Sequence, residues 1–476
     1  MSKSNPSFHR SLTLFDSTAL VMGSMVGSGI FIVSADIARS VGSPGWLLVV
    51  WGIAGILTIF AALGYGELAG MMPHAGGIYV YLREAYSPLV GFLYGWTLFL
   101  VIQCGTIAAV AMAFGKYLGV MVPWVSDKNV LIDYDFVHFN ATQLIAIISI
   151  LFLTWLNGRG VEQGKRVQNI FTLSKVLILL VFIGVGFMFA GHHPVGFWEA
   201  TKITETGPEA ISGWPLIVAI GAAMVGSLFA SDAWYDITFA SGEVVNPKRN
   251  IPRSLIYGTI GVTILYLLIN LVYIYVLPLT GSANGTDVAA RGIQYASEDR
   301  VATAVMQQIL GQGAVLVMAG IVVVSTFGCN NGLILSGARV YYAMAADGLF
   351  FKKAGLLNSK GVPATGLWVQ AAWCIVLCLS GSYSQLLDYI IMASLIFFIL
   401  TILAVFVFRY KQPDLERPYK TFGYPVIPAI YILICLFIEV ILLIYKPDYT
   451  WPGLIIVLSG IPVYYLWKYF NRTNPQ

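Results

Sequence analysis

Gly27–Ser28–Gly29–Ile30–Phe31, set inside the apolar stretch Leu20–Ser34 (LVMGSMVGSGIFIVS), decides how the rest of this 476-residue chain is read. Gly23, Gly27 and Gly29 fall where the interior of a membrane helix is expected. Glycine weakens a helix by about 1 kcal/mol against alanine, and serine competes for the backbone's own bonds. In a bilayer, the N–H and C=O groups freed by a break survive only where protein, ligand or water satisfies them. A break at mid-depth therefore has to hold something.

The composition supplies the membrane. Hydrophobic residues make up 58% of the chain and charged residues 11%, where soluble chains carry roughly 25% charge. Mean hydropathy is +0.78. Twelve stretches are read as spans on length and apolarity: residues 14–39, 45–71, 88–121, 140–157, 166–190, 213–240, 254–278, 313–345, 364–381, 385–409, 425–445 and 451–470. The connections are short and leave no room for a soluble domain; the longest, 279–312, is expected to be exposed and to carry short helices. Met1 to Arg10 is polar and basic, and the apolar run after it continues without a cleavage site, so no signal peptide is expected.

Charge sets the orientation. Nineteen of the 27 Lys and Arg residues, from Lys3 and Arg10 to Lys468 and Arg472, fall on one side. Seven, among them Arg39, Arg291 and Arg300, fall on the other, and Lys175 lies within a span. Both termini are expected in the cytoplasm. A net charge of +4 fits basic loops and does not suggest nucleic acid. Cys104, Cys329, Cys374, Cys378 and Cys435 all lie in apolar runs, where they read as packing residues. His9, His74, His138, His192 and His193 lie outside the spans or at their ends. No metal site, cofactor or catalytic constellation is expected, and an enzyme is disfavoured.

Span six carries a second interruption, Gly226–Ser227–Leu228–Phe229–Ala230–Ser231–Asp232 and on to Asp236. Spans one and six each open a set of five, and the odd count gives the sets opposite orientations. Interrupted helices at matching positions of inverted halves point to a transporter site. The half-helix starting near Gly29 offers bare N–H groups and a positive dipole end. The half-helix ending near Phe229–Ser231 offers free carbonyls. A zwitterion satisfies both, and an α-amino acid fits better than a sugar or an ion.

Individual residues keep more than one reading. Asp232 is an N-cap for the second half of span six or a contact for the substrate amine. Asp236 reads as packing or gate, Trp234 as packing, and Phe229 as core or as a lid on the lip of the break. Lys175 either snorkels to the cytoplasmic side, or acts as a fixed ammonium in place of a coupling cation, bonded to span-one carbonyls and to the hydroxyls of Ser325 and Thr326, or carries protons. Glu67 reads as a partner for basic loops, and Glu439 lies outside the ten-span core.

With these residues in view, the chain resembles the amino acid–polyamine–organocation superfamily, and within it the L-type amino acid transporter branch. The resemblance runs through Gly27–Phe31, Pro73–His74–Ala75–Gly76–Gly77–Ile78–Tyr79–Val80–Tyr81, Val167–Lys175, Phe229–Trp234, Gly242–Pro252 and Ser336–Gly337–Ala338–Arg339, in order. It implies an all-α membrane protein of about twelve transmembrane helices with a five-plus-five inverted repeat and discontinuous helices one and six. The repeats would be 1–212 and 213–410, with 411–476 peripheral. Pro73–Tyr81 would belong to a short cytoplasmic helical segment. It implies a substrate site of Met25, Gly27, Ser28, Gly29, Phe229, Ala230, Ser231 and Asp232, with the carboxylate at Ser28 and Gly29 and the amine at carbonyls near Met25, Phe229 and Ala230. Phe229 would match a gating aromatic, and Lys175 the lysine standing where sodium sits in sodium-coupled relatives.

The expected activity is sodium-independent exchange of neutral L-amino acids by alternating access. Proton-coupled symport is the alternative within transport; a non-transporting amino acid sensor is the alternative outside it. Branch members that pair with a heavy chain use a cysteine between spans three and four. Pro123–Phe139 has none, so no disulfide-linked heavy chain is expected. Compact loops suggest a bacterial inner-membrane protein.

Overall fold

A computed structural model describes residues 8–473, apart from 135–136, 193, 205–206 and 381–382. Residues 1–7 with Lys3, residues 474–476, and His193 lie outside the described residues.

Side-chain caps set several helix starts. Thr13 and Asp16 form a reciprocal capping box at the head of α1 (Leu14–Met25). The chain breaks at Val26–Ser28 and resumes as α2 (Gly29–Ile32) and α3 (Ser34–Val41). Ser43 caps α4 (Pro44–Met71), whose Pro44 sits where no N–H is needed. Next come α5 (Ile78–Ala85) and α6 (Pro88–Thr97), which runs through a π-helical turn at Leu98–Ile102 into α7 (Gln103–Met121). A hairpin of β1 (Val130–Tyr134) and β2 (Val137–Asn140) leads to α8 (Ala141–Gly158) and α9 (Val161–Met188). A second hairpin, β3 (Thr201–Thr204) and β4 (Gly207–Ala210), precedes α10 (Trp214–Ala230) and α11 (Asp236–Phe239). The remainder is α12 (Pro247–Val276), the short α13 (Val288–Arg291) and α14 (Val301–Leu310), then α15 (Gly313–Ala346), α16 (Ala364–Ser380), α17 (Tyr383–Lys411), α18 (Val426–Tyr445) and α19 (Pro447–Thr473).

Each of the twelve expected spans is helical. Among the described residues ten are long and apolar enough to cross a membrane on those grounds alone; α10 and α16, at 17 residues each, are the shorter two. The protein is an all-α membrane protein. The expected short helices between 279 and 312 are α13 and α14, and α5 is the expected segment after Pro73. Three boundaries move by four residues or more, α19 starting at Pro447 rather than 451. Helix α9 begins at Val161 rather than 166, and α12 at Pro247 rather than 254, because Pro247 is tolerated at a first helical position. The two hairpins were not expected from the sequence. Their alternating branched or aromatic residues, Val130 and Ile132 facing Asn140 and Phe139, are short β signals between span ends.

The broken spans lie at the centre. Helix α1 packs on α12, α9 and α15, while α10 packs on α3, α4, α17 and α18. Helix α12 runs along α4, and α15 along α7, framing both breaks. The face of the helix body where Ser11 bonds Glu243 O and Trp467 bonds Gly348 O is called the terminal face below.

Candidate substrate site

The carbonyls at the end of α1 can be accounted for one by one. Met22 O accepts from Val26 N at 3.0 Å, and Met25 O from Gly27 N at 2.9 Å. Ser24 O accepts from Cys329 Sγ at 2.9 Å. Gly23 O and Val26 O accept from Lys175 Nζ at 2.5 and 2.8 Å. Ser325 Oγ reaches Val26 O and Gly27 O at 3.1 and 3.2 Å. Neighbouring helices thus meet the demand that a bilayer imposes on a broken helix. At the start of α2, the amides of Gly29 and Ile30 have no intrahelical acceptor.

The second break faces the first. Helix α10 ends at Ala230, and a Cβ built on Gly29 would lie 2.6 Å from Ala230 Cβ and 2.8 Å from its Cα. Only glycine lets the backbones approach so closely. The amide end of α2 and the carbonyl end of α10 therefore meet at Gly29–Ala230. Met25, Gly27, Ser28, Gly29, Phe229, Ala230 and Ser231 are all buried around this junction.

Lys175 is 1% exposed and has no ion pair among the described residues. Its ammonium sits at the negative end of α1, where helix polarity favours a cation. Its third bond goes to the Ser325 carbonyl, at 3.4 Å, rather than to a hydroxyl. Ser325 joins through its own bonds to Val26 and Gly27. Thr326 does not: its hydroxyl donates back to Val322 O and Val323 O of α15.

A polar stripe on α12 was missed in the sequence. Tyr266 hydroxyl lies 3.1 Å from Met25 O and 2.9 Å from Ala230 O, bridging the carbonyl ends of both broken helices. Tyr273 hydroxyl donates to Ile30 O at 3.0 Å, and Ser34 Oγ donates to Asn270 Oδ1 at 2.6 Å. The signal was present: Tyr266, Asn270 and Tyr273 stand at i, i+4 and i+7 in an otherwise apolar helix, which is one face. Met25 and Ala230, expected to meet the substrate amine, already share this hydroxyl. Ala230 O keeps a second lone pair for a further donor, whereas Met25 O already has both Gly27 N and the Tyr266 hydroxyl within reach.

Asp232 does not cap α11, which starts at Asp236 with no side-chain cap bond. One Asp232 oxygen lies 3.5 Å from the Tyr235 hydroxyl, and the other has no hydrogen-bond partner among the described residues. Asp236 accepts from Ser336 Oγ at 2.5 Å and Gln103 Nε2 at 3.4 Å, tying α11 to α15 and α7. Glu67 pairs with Arg409 through bonds of 2.9 and 2.7 Å, as its position beside basic loops suggested.

The terminal face is closed by two of the quoted motifs. Arg339 of Ser336–Arg339 and Glu243 of Gly242–Pro252 form a pair 1% and 0% exposed, at 2.9 Å. Glu243 O also accepts the amides of Ser11 and Leu12, each at 2.9 Å. Nearby, Arg83 bonds Asp347 and Glu84. Burial alone would lower the Arg83 guanidinium, but these two carboxylates hold it above its ordinary value. On the opposite face, Arg39 of α3 pairs with Asp299 at 2.6 Å. Ion pairs thus stand beyond the breaks on both faces.

Residues 12–466 match the amino acid permease family. The chain belongs to that family. This permease is similar to the b(0,+)-type amino acid transporter 1 of Mus musculus, at 29% identity over 474 residues, 98% of this chain and 89% of the relative. It is similar also to the Large neutral amino acids transporter small subunit 2 of Homo sapiens, at 29% over 467 residues, 97% and 81% of the two chains. A third relative is the Cystine/glutamate transporter of Homo sapiens, at 28% over 467 residues, 97% and 86%. The permease is a multi-pass integral membrane protein of amino acid transport, not an enzyme.

Proposed function

We propose that this permease exchanges neutral L-amino acids across the membrane by alternating access, without sodium. The observation that carries the reading is the junction at Gly29–Ala230. There a substrate carboxylate would meet the amides of Ser28, Gly29 and Ile30, and its ammonium the carbonyls of Met25, Phe229 and Ala230. The site reads the part common to all amino acids. Phe229 would close over it as a lid. Lys175 supports sodium independence, since its ammonium fills the space between α1, α9 and α15 that a coupling cation would need.

In this reading 1–212 and 213–410 are inverted repeats that rock about the breaks, with 411–476 peripheral. The terminal face is cytoplasmic, on the Lys/Arg bias. The membrane is a bacterial inner membrane. The name of the relative called a small subunit implies a partner for that protein. Here the connection between spans three and four lacks cysteine and all five cysteines are buried, which favours a permease without a disulfide-linked heavy chain.

The test is a competition panel of the common amino acids against labelled leucine in proteoliposomes, with and without sodium. Neutral amino acids should compete, sodium should be dispensable, and uptake should require internal amino acid. Competition by arginine or glutamate alone overturns the substrate class. Uptake into amino-acid-free vesicles driven by a pH gradient overturns exchange in favour of proton symport.

A further inference from the structure

A small cavity with about 20 Å³ of room lies between α4, α10, α17 and α18. Its lining includes Thr58, Ser231, Asp232, Ser394, Tyr431 and Cys435, and no residue of α1–α3. It thus borders the second break, through Ser231 and Asp232, and not the first. The room suits about one water, and a buried water is stable only where two or more polar groups receive it. Asp232 and Ser394 both line this cavity and both are buried, and among the described residues neither Asp232 Oδ1 nor Ser394 Oγ has a hydrogen-bond partner.

The groups around Asp232 offer no countercharge. Its own segment brings Tyr235 and Asp236. Tyr65 comes from α4, Tyr94 from α6, Cys329 from α15 and Tyr431 from α18; α17 adds Ser394 and Phe398. No cation is among them. A carboxylate held in a membrane interior beside a second carboxylate is costly unless paired or protonated.

Asp232 also stands where the chain must bend. It follows the end of α10 and precedes Ala233, whose φ of +64° is a left-handed conformation uncommon for alanine. On α18, Glu439 lies four residues after Cys435 and eight after Tyr431, on the same face. It is 5% exposed, and neither carboxylate oxygen has a partner among the described residues. Helix α18 ends at Tyr445, so Glu439 lies between the cavity and the face away from the termini.

We propose that Asp232 is a protonation site gating the transport cycle: the second break closes over its water-sized cavity only with Asp232 protonated, and Glu439 passes that proton toward the face away from the termini. The inference rests on the two breaks being the substrate site. Protonated Asp232 donates to the cavity water or to Ser394 Oγ, and the cavity closes without net charge. When the helices part, water enters and carries the proton from Asp232 to the Glu439 carboxylate, which releases it on the face away from the termini, and the solvated Asp232 carboxylate resists reclosure. Exchange therefore slows as pH rises.

The test is leucine counterflow by the full-length chain in proteoliposomes at equal internal and external pH. Wild type should slow from acid to alkaline pH, and Asp232→Asn, fixed in the neutral form, should give a flat profile. Glu439→Gln should delay the rate change that follows an external pH jump. A flat wild-type profile, or an Asp232→Asn profile that falls like wild type, overturns the proposal; an unaltered jump response in Glu439→Gln overturns the relay. Should Asp232→Asn fail to fold, Ser394→Ala decides: a shifted profile supports the site and an unmoved one overturns it. If uptake runs into amino-acid-free vesicles, the exchange reading falls, and the pH profile of that uptake tests Asp232 in the same way.

Discussion

The ammonium of Lys175 lies 2.8 Å from the carbonyl oxygen of Val26, the residue that closes α1, and reaches Gly23 O as well. A lysine in the membrane interior is costly to hold. Here the negative helix end and three carbonyls offset that cost without an acid. The ammonium in turn completes the carbonyl end of the first break, so the break and the lysine depend on each other.

Lys175→Ala should therefore leave Gly23 O without a donor and Val26 O with only Ser325. Each buried polar group left unmade costs about 1–3 kcal/mol. The variant should fold with a lowered melting temperature and lose most of its counterflow. Wild-type flux in a folded Lys175→Ala protein would show that the ammonium serves packing alone.

Tyr266→Phe removes one oxygen atom and unbridges two helices. Ala230 O loses its donor, while Met25 O keeps the bond from Gly27 N. The expected cost is about 1–3 kcal/mol at Ala230. Because the hydroxyl holds the carbonyl ends of α1 and α10 together, substrate affinity should fall with it. Thermal melts with and without leucine check this: wild type should be stabilised by the ligand more than Tyr266→Phe. Equal ligand shifts would remove Tyr266 from the site.

Both breaks were legible because glycine and serine clusters are conspicuous in apolar runs. Gly29 starts α2 and Ala230 ends α10, as their positions suggested. Helix ends need only local chemistry, and the sequence holds that. Side-chain direction is not local. Asp232 faces a cavity among α4, α10, α17 and α18 rather than capping α11, and Thr326 turns back on its own helix, although its neighbour Ser325 faces the break. Tyr266 was overlooked because a tyrosine in a long apolar helix looks like packing until the facing carbonyls are known.

Glu243 and Arg339 are fully buried at the terminal face, in a bidentate arrangement with bonds of 2.9 to 3.2 Å. Removing one partner of such a pair costs about 3–5 kcal/mol, because the remaining charge is stranded, whereas replacing both with apolar residues is far milder. Glu243→Gln should thus melt well below wild type, and the double change Glu243→Leu with Arg339→Met should recover much of the loss. The pair also positions Glu243 O for the amides of Ser11 and Leu12, so the double variant should regain stability without regaining full flux. Recovery of both would make the pair dispensable for the transport cycle.

Gly29→Ala is the most direct probe of the junction between the breaks. The added methyl would stand 2.6 Å from Ala230 Cβ and 2.8 Å from Ala230 Cα. Cores made to accept an extra methylene typically lose about 1–3 kcal/mol. Here backbone must yield, so α2 and α10 should separate. Leucine binding should weaken more than stability does, since the amides and carbonyls that read the zwitterion would no longer be correctly spaced. Ala230→Gly in the same chain removes the methyl–methyl clash but leaves the added methyl pressed against the backbone of α10, so it should restore binding only in part. Equilibrium binding of labelled leucine to the two variants, set beside their melting temperatures, measures this. Wild-type affinity in Gly29→Ala would mean that the close approach of the two breaks is not what holds the substrate.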